Sequence, residues 1–436
     1  MLLAFAIIAP YLIMYSQGYR LDLSQRKFIK TGGIYIKAYP QNVSVSIDGK
    51  YKNITSSFTR DLLIQNILPE THEISVKKDG YVSWSKKLPV EETKVAEAKF
   101  IILFPSEEPF STIKDNVENF SFYGQNKFLL STTDQDIISY DIASKQETEI
   151  ASKLNFADVI FSEDNNTAVI KTKAGLYYLL NLKNAGSNQI KNISKNATDL
   201  AYSSNTNSLY YLAKGQIYKL SLGKSAQQPA IFVEGKYRTF SLSGSYLYAL
   251  DEDGYADLIS LSAPSSANHI YETPLDLDSA GSYQIKTIEG DVFIFEKGVG
   301  VYHFNKSSNA FEKIISSSQE ITFDSYYDRI LFTDGNELWL YLVKNVDSPF
   351  YKTAGTVIHI TRLSQKIENV EWLNSDYFTY SLDGKIWISE IDNRDHINAF
   401  SIAGILGSKI LFDGNTKKMF VLNGNTLMSS DNKIIP

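Results

Sequence analysis

The chain has no cysteine, which removes a disulfide framework, thiolate metal sites and a cysteine nucleophile together. Lysine and arginine do not outnumber the acids: 43 stand against 49, a formal charge of -6, so the sequence lacks the basic footprint of a nucleic-acid-binding protein. There is no Walker loop, no Gly-x-Ser-x-Gly elbow and no dinucleotide fingerprint. What is abundant is aromatic. Tyrosine (28) and phenylalanine (24) lift the aromatic fraction to 13%, and such side chains fit a pleated, half-buried surface, so the composition leans towards strands. At 436 residues and 43% hydrophobic, the chain is long enough for two or three folded units with sizeable cores.

Leu2 to Tyr15 form an uncharged apolar run. It is shorter than the ~20 residues of a full span, but nothing after it resembles a helical domain into which it could pack. No Lys or Arg precedes it and no small-x-small cleavage site follows, so it reads as a transmembrane helix rather than a cleaved signal. Arg20, Arg26, Lys27 and Lys30 follow it against Asp22 alone, which the positive-inside rule would place in the cytoplasm. A start lying upstream, with a basic segment before the run, reconciles these charges with exported domains. A reporter fused after Lys30 is then expected to be active outside the cytoplasm.

From Thr31 the period changes to two. Ile34, Ile36 and Ala38 share one face, Val43, Val45 and Ile47 another, and Asp48-Gly49 and Asp79-Gly80 are hairpin turns. Further strands begin at Glu73 and Tyr81, and a last runs from about Val95 to Phe104, which makes a small β-sandwich. Thr31 to Lys50 and Ile67 to Val90 resemble the PEGA domain of bacterial and archaeal surface proteins. Pro40-Gln41-Asn42-Val43 keeps only the proline of that family's signature. The resemblance implies envelope or surface-layer placement and no catalytic activity.

Beyond Pro105-to-Pro109, a linker with Glu107 and Glu108, one pattern recurs: a Gly or Asp turn, then alternating apolar and aromatic residues. Its copies start at Ile137, Leu176, Ile217, Ala256, Val301, Leu338, Ile386 and Leu427, separated by 39, 41, 39, 45, 37, 48 and 41 residues. A period near ~41 is that of four-stranded propeller blades. Eight units fit; seven is the alternative if the last partial unit shares a blade with residues 105 to 117. Phe161 to Asn165 (FSEDN) resembles the strand-and-turn signature of TolB-like and WD40-like propellers, which supports the architecture and not an activity. The aromatic residues of the repeat read as packing between blades, the alternative being a stacking surface for sugars or peptides.

Candidate chemistry is sparse. His72, His269, His303, His359 and His396 show no metal-ligand spacing. Asp251-Glu-Asp-Gly254 with Asp257 has the acidic density of a calcium loop without its ligand alternation, and it occupies an expected hairpin turn. Asp134, Asp136, Asp158, Glu163, Asp164, Asp324 and Asp328 could serve a channel hydrolase, yet all read as turn residues. Asn-x-Ser/Thr triplets such as Asn42-Val-Ser and Asn192-Ile-Ser are chance in so Asn- and Ser-rich a chain.

The sequence is therefore expected to be all-β. Residues 1–30 form a hydrophobic membrane anchor and short basic stalk, 31–104 a PEGA-like β-sandwich, and 105–436 a β-propeller. The expected protein is single-pass in the cell membrane, with its folded domains outside, binding an envelope protein or a cell-wall or surface polymer. No catalytic residue, metal, cofactor or nucleic acid is assigned. The rival is an extracytoplasmic polysaccharide hydrolase or lyase, which requires two or three inner-strand carboxylates to converge. A third reading, a transmembrane sensor or assembly scaffold, lacks a cytoplasmic domain in the sequence.

Overall fold

The computed structural model describes residues 2–436 apart from 17, 23–26, 125, 192, 195, 224–227, 265–266, 289, 318, 320, 327 and 348. It opens with α1 (Leu2–Ser16), whose 15 residues include Pro10. At 1.5 Å per residue α1 is about 22 Å long, against roughly 30 Å of bilayer hydrocarbon. No helix among the described residues is long and apolar enough to cross a membrane. The expected basic stalk is not extended either: β1 (Tyr19–Asp22) and β2 (Lys27–Lys30) pair as an antiparallel hairpin. Arg20 turns back over the Tyr15 ring, 3.4 Å from its centroid, and Arg26 lies outside the described residues.

The alternation after Thr31 builds a sandwich. One sheet has the order β6 (Asp61–Ile67), β3 (Gly32–Tyr39), β9 (Val95–Ile102). The other has β5 (Lys50–Ile54), β4 (Ser44–Ile47), β7 (Thr71–Lys77), β8 (Trp84–Pro89). Ile34, Ile36, Ala38, Val43, Val45 and Ile47 all point into the core, as their period requires. The first and last strands, β3 and β9, are parallel neighbours. The chain therefore enters the sandwich at one end and leaves at the other, about 26 Å away for eight residues at ~3.3 Å each.

Residues 110–430 form eight four-stranded antiparallel sheets among the described residues. Every copy of the sequence repeat falls on the third strand of a sheet, from Ile137–Asp141 in sheet 1 to Thr426–Ser430 in sheet 8. Sheet 8 has only three strands of its own, and β10 (Phe110–Lys114) adds the fourth by pairing antiparallel with Thr426–Ser430. Sharing with the start of the segment thus completes the eighth sheet instead of reducing the number to seven.

Eight hydrophobic clusters account for the eight seams between sheets. Seam 8–1, for example, joins Phe420 and Leu427 to Val117, Phe120 and Phe128, and closes the ring. Seam 7–8 is exceptional: its cluster runs without a break into the sandwich core, from Ile388, Phe400 and Val421 to Phe104, Trp84 and Ile36. The repeat's aromatics pack as expected, Trp339 within seam 5–6 and Trp387 against seam 6–7.

Candidate functional site

Three places bring chemically capable side chains together: the central channel, the junction with the sandwich, and one turn of sheet 4. The innermost strand of each sheet borders the channel. Several of these strands are irregular, with register shifts between Val117 and Asn119, Thr198 and Ala201, Tyr237 and Thr239, and Glu368 and Glu371. A bulge re-aims side chains along the strand, and here they reach the next sheet's backbone. Asn119 Nδ2 donates to the Phe156 carbonyl (3.2 Å), Arg238 Nη1 to that of Ser279 (3.0 Å), Asn369 Nδ2 to that of Gly407 (3.3 Å) and Lys409 Nζ to that of Phe120 (2.7 Å). Asp199 Oδ2 accepts the Phe240 N–H at 3.4 Å and Asp324 Oδ2 that of Trp372 at 2.9 Å. The result is a polar belt that ties the inner strand to the next sheet at six of the eight seams.

Asp324 and Asp158 are therefore inner-strand residues, not turn residues as the sequence implied. Asp164 is a turn residue, accepting from Ser162 and Asn166. Asp199 and Glu371 escaped notice because bulges break the period-two pattern that marks a strand. Glu371 lies beside Asp324, and burial, with a smaller push from Asp324, raises its carboxyl to about 8. A raised acid beside a second carboxylate is what the hydrolase reading requires. However, Glu371 Oε2 is sealed from solvent without a hydrogen-bond partner, and Asp324 is committed to backbone.

Glu371 has a stability consequence. Its folded pKa lies above the ordinary value of 4.5, so between about pH 4.5 and 8 the folded state keeps a proton that the unfolded chain has released. Stability then falls as pH rises across that window, by up to ~1.4 kcal/mol per unit for one proton. Glu371→Gln is expected to remove this part of the slope in urea midpoints measured from pH 5 to 8; an unchanged slope would contradict the assignment.

At the junction, the sandwich's exposed sheet edges β8 and β9 meet sheet 7. Its second strand spans Tyr377–Leu382 and its third Lys385–Glu390; the connection 391–398 follows. Trp84 Nε1 donates to Glu390 Oε2 (2.9 Å). Lys86, fully buried, pairs with Glu390 Oε1 at 2.7 Å and donates to the carbonyls of Asp392 (2.6 Å) and His396 (2.5 Å). Asn398 Nδ2 donates to the Ser85 carbonyl and the Lys87 N–H to Asp395, which occupies β8's free edge. Tyr377 Oη donates to the Phe100 carbonyl and accepts the Ile102 N–H; Arg394, held by Asp392, donates to the Glu97 carbonyl. These three contacts cap the edge of β9. Complete burial pushes the Tyr377 hydroxyl pKa well up. Even the predicted linker is tied down: Ser106 N–H donates to Gly80, and buried Glu108 accepts from Asn432. A groove of about 190 Å³ along this junction is lined by Lys37, Tyr39, Arg60, Lys99 and Phe100. Of its three cations, Lys99 is paired with Glu97 at 2.5 Å, Lys37 lies near Asp61, and Arg60 sits over the Tyr39 ring.

The five histidines stay far from one another. His72 clamps Asp48 (2.7 Å) to the Leu68 carbonyl (2.9 Å) inside the sandwich, and burial lowers the pKa of His303, whose Nδ1 meets Tyr341 Oη at 2.7 Å. His269 is different. It stands opposite Asp257 across two strands of sheet 4, and one ligand atom each of Asp251, Asp257 and His269 lie within 4.8 Å of one another. Burial, with Asp257 adding to it, raises the Asp251 carboxyl. Twelve residues separate His269 from Asp257, and only strand pairing reveals their proximity.

Residues 31–101 match the family model described as the PEGA domain. No curated protein matches the chain. Among solved structures, it is similar to the computationally designed Ika8 protein, with a TM-score of 0.50 at 11% identity, covering 73% of this chain and 97% of that one. It is also similar to the C-terminal WD40 domain of Sif2 (TM-score 0.49, 9% identity, 74% and 98% covered) and to BamB from Moraxella catarrhalis (0.48, 9%, 74% and 97%). Such identities speak for the fold alone, and the ring of eight four-stranded sheets is itself the architecture of a β-propeller.

Proposed function

We propose that this chain is a non-catalytic, extracytoplasmic binding protein: a PEGA sandwich that carries an eight-bladed propeller as one rigid body and presents one propeller face to a protein or surface polymer. The domain limits on this reading are 1–30, 31–104 and 105–436, with α1 as the membrane-facing anchor. The observation that carries it is the position of the junction. In a four-stranded meander, the first-to-second and third-to-fourth connections share one face of the ring. The second-to-third and sheet-to-sheet connections share the other. The sandwich contacts the first kind, at Tyr377 and residues 391–398. The second kind, with glycine turns at Gly175, Gly215, Gly254, Gly335, Gly384 and Gly424, takes part in none of those contacts. Rigid strands holding variable loops around one free face suit recognition. The separation of helix and propeller by the parallel β3 and β9 supports display away from a membrane.

The reading against catalysis is supported by the channel carboxylates, which serve the interblade belt. Two-residue insertions test the face. Placed after Ala174 and Asp383, on the free face, they are expected to abolish capture of envelope protein or isolated wall polymer by the full chain. Placed after Asn165 and Asn184, on the sandwich-side face, they are expected to leave capture intact. The opposite pattern would overturn the proposal, as would release of reducing sugar from the polymer.

A further inference from the structure

α1 leaves large apolar side chains in the open: Ile8, Leu12, Ile13 and Tyr15 are each between 49% and 57% exposed. A helix that is apolar all round belongs in a protein core or in lipid, and among the described residues the element it chiefly packs against is the hairpin strand β1. The hairpin has another character. Its strands pair with Tyr19 opposite Lys30 and Arg20 opposite Ile29. Strand alternation then sets Tyr19, Phe28 and Lys30 on one face, with Arg20, Lys27 and the buried Ile29 on the other.

Two of these cations are fixed where helix and hairpin meet. Arg20 Nη1 donates to the Tyr15 and Tyr19 carbonyls (2.9 and 2.8 Å), which closes the carboxyl end of α1 while the guanidinium covers the Tyr15 ring. Lys30 Nζ lies over the Tyr19 ring, 5.5 Å from its centroid. Lys27 and Phe28, both exposed, stand further along the hairpin. Tyrosines and long cationic side chains at the end of an apolar helix are the anchors of a membrane–water interface: the rings sit at headgroup level and the charges reach out of the apolar layer. The charge there is also one-sided. From Tyr19 to Lys30, Arg20, Arg26, Lys27 and Lys30 stand against Asp22 alone. In the sandwich turn bonded to Thr31, Glu91 is paired with Lys94 at 2.5 Å, which leaves Glu92 as the further acid.

We propose that the β1–β2 hairpin binds anionic phospholipid: with α1 in the bilayer, Arg20, Lys27 and Lys30 meet headgroup phosphates while Tyr19 and Phe28 lie among the headgroups. The inference rests on the reading of α1 as a membrane-facing anchor and adds the class of lipid. Charge complementarity selects the occupant, since ammonium and guanidinium groups seek phosphate oxygens and an adjoining apolar helix places them at the depth where such oxygens lie. It also gives the cations that follow the apolar run a use on the side of the folded domains.

Flotation of the full chain with vesicles of phosphatidylcholine, alone or in equal parts with phosphatidylglycerol, tests this. A cation at a charged headgroup surface is worth about a fivefold gain in binding. The chain should float with both kinds of vesicle and bind the anionic kind at least ~10-fold more tightly, a preference that added salt erodes. Lys27→Gln with Lys30→Gln should lower binding to the anionic vesicles about tenfold and leave the neutral kind unchanged; Arg20 is kept because it closes α1. Equal binding to both kinds would overturn the headgroup inference while leaving α1 as an anchor, and so would a preference that the double variant keeps in full. A chain that floats with neither would overturn the anchor reading, and this inference with it.

Discussion

Lys86→Ala is expected to destabilise the chain by about 3–5 kcal/mol, the range for removing one partner of a buried ion pair. The magnitude follows from what the substitution leaves behind. Glu390, 4% exposed, keeps hydrogen bonds from Trp84 and Asn398 but loses its counter-charge at 2.7 Å. The Asp392 and His396 carbonyls lose their shared donor in a connection wedged between β8 and sheet 7. Lys86→Met combined with Glu390→Gln keeps the volume while removing both charges. It should recover much of the loss, because replacing a buried pair outright is often close to neutral. Urea unfolding of the full chain measures both. Equal losses in the single and double variants would mean that packing, not charge, holds the junction.

Phe420→Ala is the second large effect, also about 3–5 kcal/mol, as for aromatic truncations in well-packed cores. Phe420 is 1% exposed and makes edge contacts with Phe122 (5.4 Å) and Phe128 (4.8 Å) across seam 8–1. This is the seam where the two ends of the ring meet, held otherwise by β10. Opening it frees β10 and sheets 8 and 1 without unfolding the rest, since each blade contacts only its neighbours. Hydrogen exchange in the variant should therefore lose protection first in Phe110–Lys114 and Thr426–Ser430. The same truncation at Phe293, in seam 5–6, should not single out those strands. Uniform loss of protection in both variants would contradict a ring closed by β10.

The contrast between these residues explains what could be read from the sequence. Sandwich strands such as β3 and β4 were legible because one face is buried and period two survives, as in Ile34-Ile36-Ala38, and the third strand of each blade because its motif recurs, whereas the exposed β5 and the weakly patterned β6 were not. The channel belt was not, because the bulges at Asn119, Arg238 and Glu371 break that period at the positions that matter. Asp324 looked like a turn residue for the same reason: the short strand Thr322–Tyr326 alternates weakly, and Asp328 follows close behind. Lys86 did carry a signal. It falls in step with Trp84 and Leu88 on the buried face of β8, and a lysine at an inward position calls for an acidic partner. That partner lies 304 positions later in the chain, beyond the reach of local pattern. The apolar terminus read as a membrane anchor from its composition although it is short of a full span, and α1 does stop at Ser16, before the β1–β2 hairpin. His269 joined no motif since its partner Asp257 comes from a neighbouring strand rather than from one helix or loop.

Absence of native cysteine makes the central claim, that sandwich and propeller form one body, open to direct measurement. Spin labels at Lys52→Cys, on the exposed edge strand β5, and Lys183→Cys, in an exposed turn of sheet 2, would be the only two in the chain. Pulsed dipolar spectroscopy between them should give a single narrow distance distribution that broadens in Lys86→Ala. A broad or multimodal distribution in the parent sequence would show that the sandwich swings freely on residues 105–109, and would contradict the account.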